Sequence, residues 1–211
     1  ICYNLLIEFL CQGKEMEISI ILFLLNILQY LNTFFLRIGR QLAWIAILLM
    51  VMVILLQVFF RYVLNNALPW PDEVARFLML WMTALIAPSA YRWGGFVSID
   101  MIIGSFTKLI GNLISLLLLM LSFFILIIGF KLGLDHIKVG WIFNSSSIKI
   151  PLFIIGEQSK PLKLAWMYMS LPIGIFLLIL VNLELILIRV ISICDPLLNI
   201  KSDPDKESLE V

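Results

Sequence analysis

Ionisable side chains concentrate beside two apolar stretches of the chain. Arg61 ends the first stretch, and after a short connection Asp72 and Glu73 open the second. Arg76 follows Glu73 by three residues and so shares its helical face. Charges beside apolar segments are costly to desolvate and tend to be paired. The pattern predicts that Arg61 pairs with Glu73 or Asp72, with Arg76 close to the same carboxylates.

The other residues with chemical potential are isolated from one another. His136 is the single histidine, and Asp135 is its one close candidate ligand. Cys2, Cys11 and Cys194 lie far apart and form no CxxC pair. No GxSxG, P-loop or HExxH motif occurs. We therefore predict no cofactor, no metal site and no enzymatic activity, since a membrane enzyme or electron-transfer subunit needs clustered His, Cys or carboxylate groups.

The composition indicates a chain that resides in a bilayer. Hydrophobic residues make up 62% and charged residues 14%, whereas soluble domains have about 45–50% and about 25%. A chain of 211 residues cannot hide that much apolar surface in a small core, but a lipid bilayer accommodates it. The net charge of +1 gives no electrostatic basis for nucleic-acid binding.

Charge-free stretches predict an all-α integral membrane protein with four transmembrane helices. A span needs about 20 apolar residues. The second stretch is shorter, but it reaches that length if its helix begins near Pro71, where a missing N–H costs nothing. The four stretches are 41–60, 77–91, 109–130 and 164–183, the last continuing in apolar sequence to Ile188.

The segment before the first span predicts an additional amphipathic helix at the interface. Ser19, Asn26, Gln29 and Thr33 are spaced to form one polar stripe, which suits a helix lying along the membrane surface. A fifth crossing is the alternative. The predicted organisation is an N-terminal extension at 1–17, an interfacial helix at 18–37, a four-span membrane domain at 38–192 and a polar tail at 193–211.

The long connection at 131–163 is predicted to be irregular and solvent-facing, because it contains a serine run and two prolines. It also holds five lysines, and long loops count little in the positive-inside rule. When these five lysines are discounted, the remaining Lys and Arg residues predict that both termini lie in the cytoplasm.

Two groups of residues give the sequence a family likeness, with fixed order and spacing across the first two spans. The main group is Gln57-Val58-Phe59, Arg61-Tyr62, Trp70, Asp72-Glu73, Ala75-Arg76, Trp81, Ala87, Ala90, Arg92, Gly94 and Asp100; a weaker group is Trp166, Tyr168, Pro172, Ile173 and Gly174. Over roughly residues 40–190 the chain resembles the small membrane subunit of tripartite ATP-independent periplasmic (TRAP) transporters. Two positions depart from that pattern: Phe96 stands where histidine is usual, and Ile86 where glycine is common.

The resemblance implies a bacterial inner-membrane complex. In it a periplasmic binding protein delivers an organic acid, and a large membrane subunit carries the substrate with ions. This chain is expected to serve as a scaffold for that subunit, because translocation sites need polar groups at mid-depth and broken helices. The predicted hairpin-stabilising or partner-contacting residues are Arg61, Trp70, Asp72, Glu73, Arg76, Trp81, Arg92 and Asp100. The alternative is a free-standing four-helix membrane scaffold or a subunit of another complex.

The topology is testable by cysteine accessibility. In a chain whose native cysteines are replaced by serine, single cysteines at Ser19 and Ser208 should both react with an impermeant reagent from the cytoplasmic side. Labelling of the two positions from opposite sides contradicts four crossings with cytoplasmic termini.

Overall fold

The computed structural model describes residues 2–94, 108–150 and 160–194. These residues form five helices and two strands: α1 (Cys2–Tyr62), α2 (Trp70–Arg92), α3 (Lys108–Gly140), β1 (Asn144–Ile150), β2 (Lys160–Lys163), α4 (Ala165–Tyr168) and α5 (Ser170–Cys194).

Four helical segments in these ranges are long and apolar enough to cross a membrane: Ile21–Tyr62, Trp70–Arg92, Ile110–Gly140 and Ala165–Ser192. Each predicted charge-free stretch falls on one of them, although 109–130 and 164–183 begin one residue before the corresponding segment. The predicted four-span helical fold is confirmed.

The first helix is longer than expected. The segment predicted to lie at the interface and the first span belong to one helix, α1, of 61 residues. No junction interrupts it between Arg37 and Arg40. A break there would need a proline or a local disruption of the hydrogen-bond ladder, and Gly39 is instead accommodated against a neighbouring helix. The interfacial placement of 18–37 stays a prediction.

A short turn joins α1 to α2. Asn65 adopts a φ of 50°, a left-handed conformation that asparagine tolerates better than most residues. The amide of Asn66 then donates to the carbonyl of Phe60 at 3.0 Å, which satisfies one of the free carbonyls at the helix end.

The second helix begins and ends where its sequence predicts. Trp70 starts it, and Asp72 and Glu73 lie in its first turn, where the helix dipole favours negative charge. It continues through Pro88 and ends at Arg92. Gly94 follows with a φ of 93°, the left-handed conformation that commonly terminates a helix.

The prediction of an irregular segment over 131–163 is wrong in the described part. The third helix extends to Gly140, and β1 pairs with β2 in an antiparallel sheet with Asn144 opposite Lys163. Charged residues end an apolar stretch without ending a helix. Here Lys138 pairs with Asp135 one turn earlier at 2.7 Å, which supports a helix that continues outside hydrocarbon.

The described chain divides into two compact units, which we treat separately. Unit 1 comprises Ile1–Phe34, Arg92–Phe123 and Leu180–Val211; unit 2 comprises Phe35–Tyr91 and Phe124–Ile179. In unit 1 the buried positions are unusually polar for membrane helices: Leu25, Val181 and Ile191 lie with Asn32, Arg92, Ser115, Asn182 and Glu184.

Small residues bring the helices of unit 2 into close contact. A Cβ added to Gly174 of α5 would lie 2.9 Å from the Ala84 Cβ of α2, and one added to Gly39 of α1 would lie 3.2 Å from the Leu85 carbonyl. Close helix approach through small residues is the usual way that membrane helices gain packing energy, since lipid offers no hydrophobic drive for their association. Ile86 stands where the family commonly has glycine, and the close approach on α2 occurs at its neighbours Ala84 and Leu85.

Gly174 supplies a direct test of this packing. We expect Gly174→Ala to lower the free energy of unfolding by about 1–3 kcal/mol, because the added methyl overlaps the backbone of Ala84. Gly129→Ala is the matched control, since its Cβ would meet only Ile175 Cδ1 at 3.4 Å; it should be neutral or stabilising by up to about 1 kcal/mol. Unfolding in mixed detergent micelles measures both. Equal effects of the two variants contradict the packing described.

Candidate functional site

A buried ion pair lies in unit 1. Glu184 of α5 has no solvent exposure, and the side chain of Arg92, in the last turn of α2, is 2% exposed. Arg92 Nη2 and Nε donate to the same carboxylate oxygen, Glu184 Oε1, at 2.7 and 3.1 Å. Charge-assisted hydrogen bonds of this length are among the strongest that proteins form.

Two residues of α1 complete the shell around the pair. Asn32 Nδ2 donates to the second carboxylate oxygen, Glu184 Oε2, at 2.7 Å and to the carbonyl of Leu180 at 3.1 Å. Arg92 Nη1 donates to Thr33 Oγ1 at 2.9 Å. Three helices, α1, α2 and α5, thus meet at a single carboxylate and its partners. We call Asn32, Thr33, Arg92 and Glu184 the polar cluster.

Burial sets what the polar cluster can do. Taking a charge out of water costs several kcal/mol, and this cost is offset only when the opposite charge and further hydrogen bonds are in place. Here both carboxylate oxygens accept hydrogen bonds and three arginine nitrogens donate. The net charge of the pair is zero, so the cluster presents no excess positive charge to an anion. Its chemistry suits holding helices together.

The polar stripe predicted on α1 contributes to this contact. Thr33 accepts the hydrogen bond from Arg92, and the amide nitrogen of Gln29 is also buried. At these two positions the stripe faces protein, whereas Asn26 is exposed.

Sequence reasoning identified Arg92 but missed Glu184 and Asn32. The available signal was Glu184 itself, because it is an acidic residue within the apolar run that extends from 164 to 188. A lone ionisable residue inside such a run is a functional or structural candidate by default. Its partner could not be read from the sequence, since Arg92 lies 92 residues away.

The expected pairing of Arg61 with Glu73 or Asp72 is absent from the described residues. Glu73 Oε2 instead accepts the backbone N–H of Ser147 at 3.0 Å, which ties the start of α2 to β1. Arg61 is exposed, and its guanidinium carbon lies 5.7 Å from the ring centroid of Tyr62. A cation over an aromatic ring is favourable at an exposed site, so Arg61 has a favourable contact without Glu73. The carboxylate of Glu73 already accepts the amide of the strand.

The other predicted residues lie apart from the polar cluster. Trp70, Asp72 and Arg76 are exposed near the start of α2. Trp81 is half-buried, and its indole N–H donates to the carbonyl of Trp166 at 3.2 Å. That bond links the two groups of residues on which the family likeness rests. Asp100 and Phe96 lie outside the described residues.

His136 contacts an aromatic ring. Its ring centroid is 4.9 Å from that of Tyr168. Within residues 2–94, 108–150 and 160–194, no group of three or more His, Cys, Asp or Glu side chains is arranged to hold a metal ion.

The four spans, the internally neutralised polar cluster and the small-residue packing define a multi-pass membrane protein. Comparison with known families is more specific. The profile for "Tripartite ATP-independent periplasmic transporters, DctQ component" matches residues 50–191. The chain therefore belongs to the DctQ family and is the small membrane component of a TRAP transporter. This family is a transporter component and is not known as an enzyme. No curated protein matches the chain.

The polar cluster predicts a large penalty for removing one charge. Glu184→Ala should lower the free energy of unfolding by about 3–5 kcal/mol, because it removes the acidic partner of a buried ion pair. Asp135→Ala is the matched control: the Asp135 and Lys138 side chains are 66% and 77% exposed, and such pairs are worth about 0–1 kcal/mol. Denaturation in mixed micelles gives both values.

A double substitution separates charge pairing from loss of side-chain volume. Replacing both Arg92 and Glu184 with methionine removes both charges but retains bulk, and it should restore much of the stability lost in Glu184→Ala. If Glu184→Ala is no more destabilising than Asp135→Ala, the pair does not hold the helices.

Proposed function

We propose that this chain is the scaffold of an ion-coupled importer of an organic acid in the bacterial inner membrane. In this role it supports the large membrane subunit, which carries the substrate, and a periplasmic binding protein delivers that substrate. The termini lie in the cytoplasm. Family membership supports association with the other TRAP components, while the scaffold role rests on the contacts of this chain.

The polar cluster is the observation that carries the scaffold role. Polar groups inside membrane proteins often mark substrate or ion paths, and such paths need groups that can exchange partners. The carboxylate of Glu184 is enclosed by donors from α1 and α2 and has no exposed surface. A group held in this way fixes helix positions and does not exchange a substrate.

The exposed surface supports the same role. Large apolar side chains are exposed along α1 and α3, and almost none of the α3 span is buried within the chain. In a bilayer these faces contact lipid or another membrane subunit. A supporting subunit needs such surface to contact its partner. The helices of this chain leave it available because they bury little against one another.

The remaining predicted residues form a second part of the proposal. Arg61, Trp70, Asp72 and Arg76 are exposed near the junction of α1 and α2, and Glu73 links that region to β1. We retain Glu73 and Trp81 as residues that stabilise the second helix of the hairpin, through their bonds to β1 and α4, and the four exposed ones as partner-contacting residues. Aromatic and arginine side chains are enriched at protein interfaces.

Reconstitution tests the scaffold role. Vesicles containing this chain alone should take up no radiolabelled organic acid, whereas vesicles containing it together with the large subunit should take up the acid bound by the partner binding protein. Glu184→Ala should reduce the amount of large subunit that co-purifies, and Asp135→Ala should not. Uptake by this chain alone, or full uptake by the large subunit and binding protein without it, contradicts the proposal.

A further inference from the structure

The outward face of α2 is a regular stripe of exposed residues in unit 2. Its members recur at alternating spacings of four and three, which places them along one side of the helix. We call the following six residues the α2 stripe: Asp72, Arg76, Met79, Thr83, Ile86 and Ala90. From its first to its last member the stripe extends about 27 Å at 1.5 Å per residue, close to the hydrocarbon thickness of about 30 Å.

The outward faces of α1 and α3 in unit 2 have a different composition. Every exposed residue of α1 between positions 44 and 59, and of α3 between 124 and 128, is a large apolar one, as at Leu48, Met52 and Ile128. Such faces suit lipid. The α2 stripe instead carries a threonine and an alanine within the charge-free part of its helix and two charges at its start. Small residues are typical of contacts between membrane helices, because they let the backbones approach.

Low hydropathy and little burial coincide in α2. Its mean hydropathy is the lowest of the four spans and half that of the segment that contains α5. Only 11% of the most apolar part of α2 is buried within the chain, against 28% for the α5 segment. A helix that faces lipid on most sides is expected to be the more apolar one, because hydrocarbon offers polar groups no partner. The reversed order in this chain indicates that another protein covers α2.

An open apolar groove beside the stripe gives a partner helix room to pack. It has a volume of about 370 Å³ and lies on α2, α3, α4 and α5. Leu80 and Thr83 line it from α2, so that Thr83 belongs to both the stripe and the groove. The groove is also lined by Ala84, Ala87 and Gly174, whose small or missing side chains leave space. Large side chains of a helix lying on α2 can fill that space.

We propose that the α2 stripe and this groove form the surface on which a transmembrane helix of the large membrane subunit docks, while the exposed faces of α1 and α3 in unit 2 contact lipid. The helix that fits carries large apolar side chains opposite Thr83 and Ala90, at the same spacing of three and four residues. At the start of the stripe, Asp72 and Arg76 offer one charge of each sign to polar groups of the partner. This inference rests on the proposed scaffold role and names the contact through which the scaffold acts.

Site-specific photocross-linking in the assembled transporter tests the surface. A diazirine amino acid replaces one large apolar residue at a time: Met79 or Ile86 of the α2 stripe, and Leu48 of α1 or Ile128 of α3 as matched controls. The full chain is produced together with a tagged large subunit and irradiated in membranes. We expect the two α2 positions to form adducts with the large subunit at least tenfold more often than the two controls.

Tryptophan substitutions give a second, independent readout. Thr83→Trp and Ala90→Trp add bulk where a partner helix must approach closely, so each should lower the amount of large subunit that co-purifies at least tenfold. Leu48→Trp and Ile128→Trp place the same side chain on faces assigned to lipid and should leave co-purification unchanged. All four positions are exposed, and circular dichroism identifies any variant that fails to fold. The cross-linking result does not depend on these variants.

The possible failures are distinguishable. Adducts with the large subunit from Leu48 or Ile128, but not from Met79 or Ile86, overturn the assigned surface and leave the scaffold role intact. Adducts from the two α2 positions only with lipid, or only with a second copy of this chain, also overturn it. A large subunit that does not co-purify with the parent chain contradicts the scaffold role itself, and this inference with it.

Discussion

A charge that enters a low-dielectric interior must bring its counter-charge with it, and the helices of unit 1 are arranged around that requirement. Arg92 reaches Glu184 from the end of α2, and Asn32 satisfies the oxygen that Arg92 leaves open. Because the carboxylate is fully buried, no water is available to replace a missing donor, so each of the three helices is needed in its place. Apolar residues of similar volume could hold the three helices as firmly. The polar cluster differs because its directional bonds fix the position of each helix along the other two.

Unit 2 shows a different means of packing. Its helices approach closely at Gly39, Ala84 and Gly174, so contact through small residues contributes to their attraction. Directional bonds also link its elements: the indole N–H of Trp81 donates to the carbonyl of Trp166, and the carboxylate of Glu73 accepts the amide N–H of Ser147. The two units thus show both of the devices that stabilise membrane helices when hydrophobicity cannot, namely polar pairing and close packing.

The sequence predicts local features of this fold better than long-range ones. The start of α2 followed from Trp70, Pro71 and the acidic first turn, and each span from its charge-free stretch, because helix caps and bilayer thickness act on neighbouring residues. The end of α3 was predicted too early, since Lys131 ends the apolar stretch but helical hydrogen bonds continue to Gly140.

The bond of Asn32 to Glu184 joins residues 152 positions apart, and a single sequence contains no signal that selects one partner at such a distance. The short spacing between Arg61 and Glu73 predicts that they pair. The carboxylate of Glu73 instead accepts a hydrogen bond from Ser147 in β1, 74 positions further along the chain.

The length of α1 means that only part of it can lie in hydrocarbon. The helix from Ile21 to Tyr62 has 42 residues and measures about 63 Å along its axis, against a hydrocarbon core of about 30 Å. Its charge-free stretch between Arg40 and Arg61 is about the length of a single crossing. Headgroups or neighbouring protein must therefore cover apolar side chains that α1 exposes elsewhere, such as Phe23 and Leu24, and any partner that does so gains apolar contact area from a helix longer than its membrane.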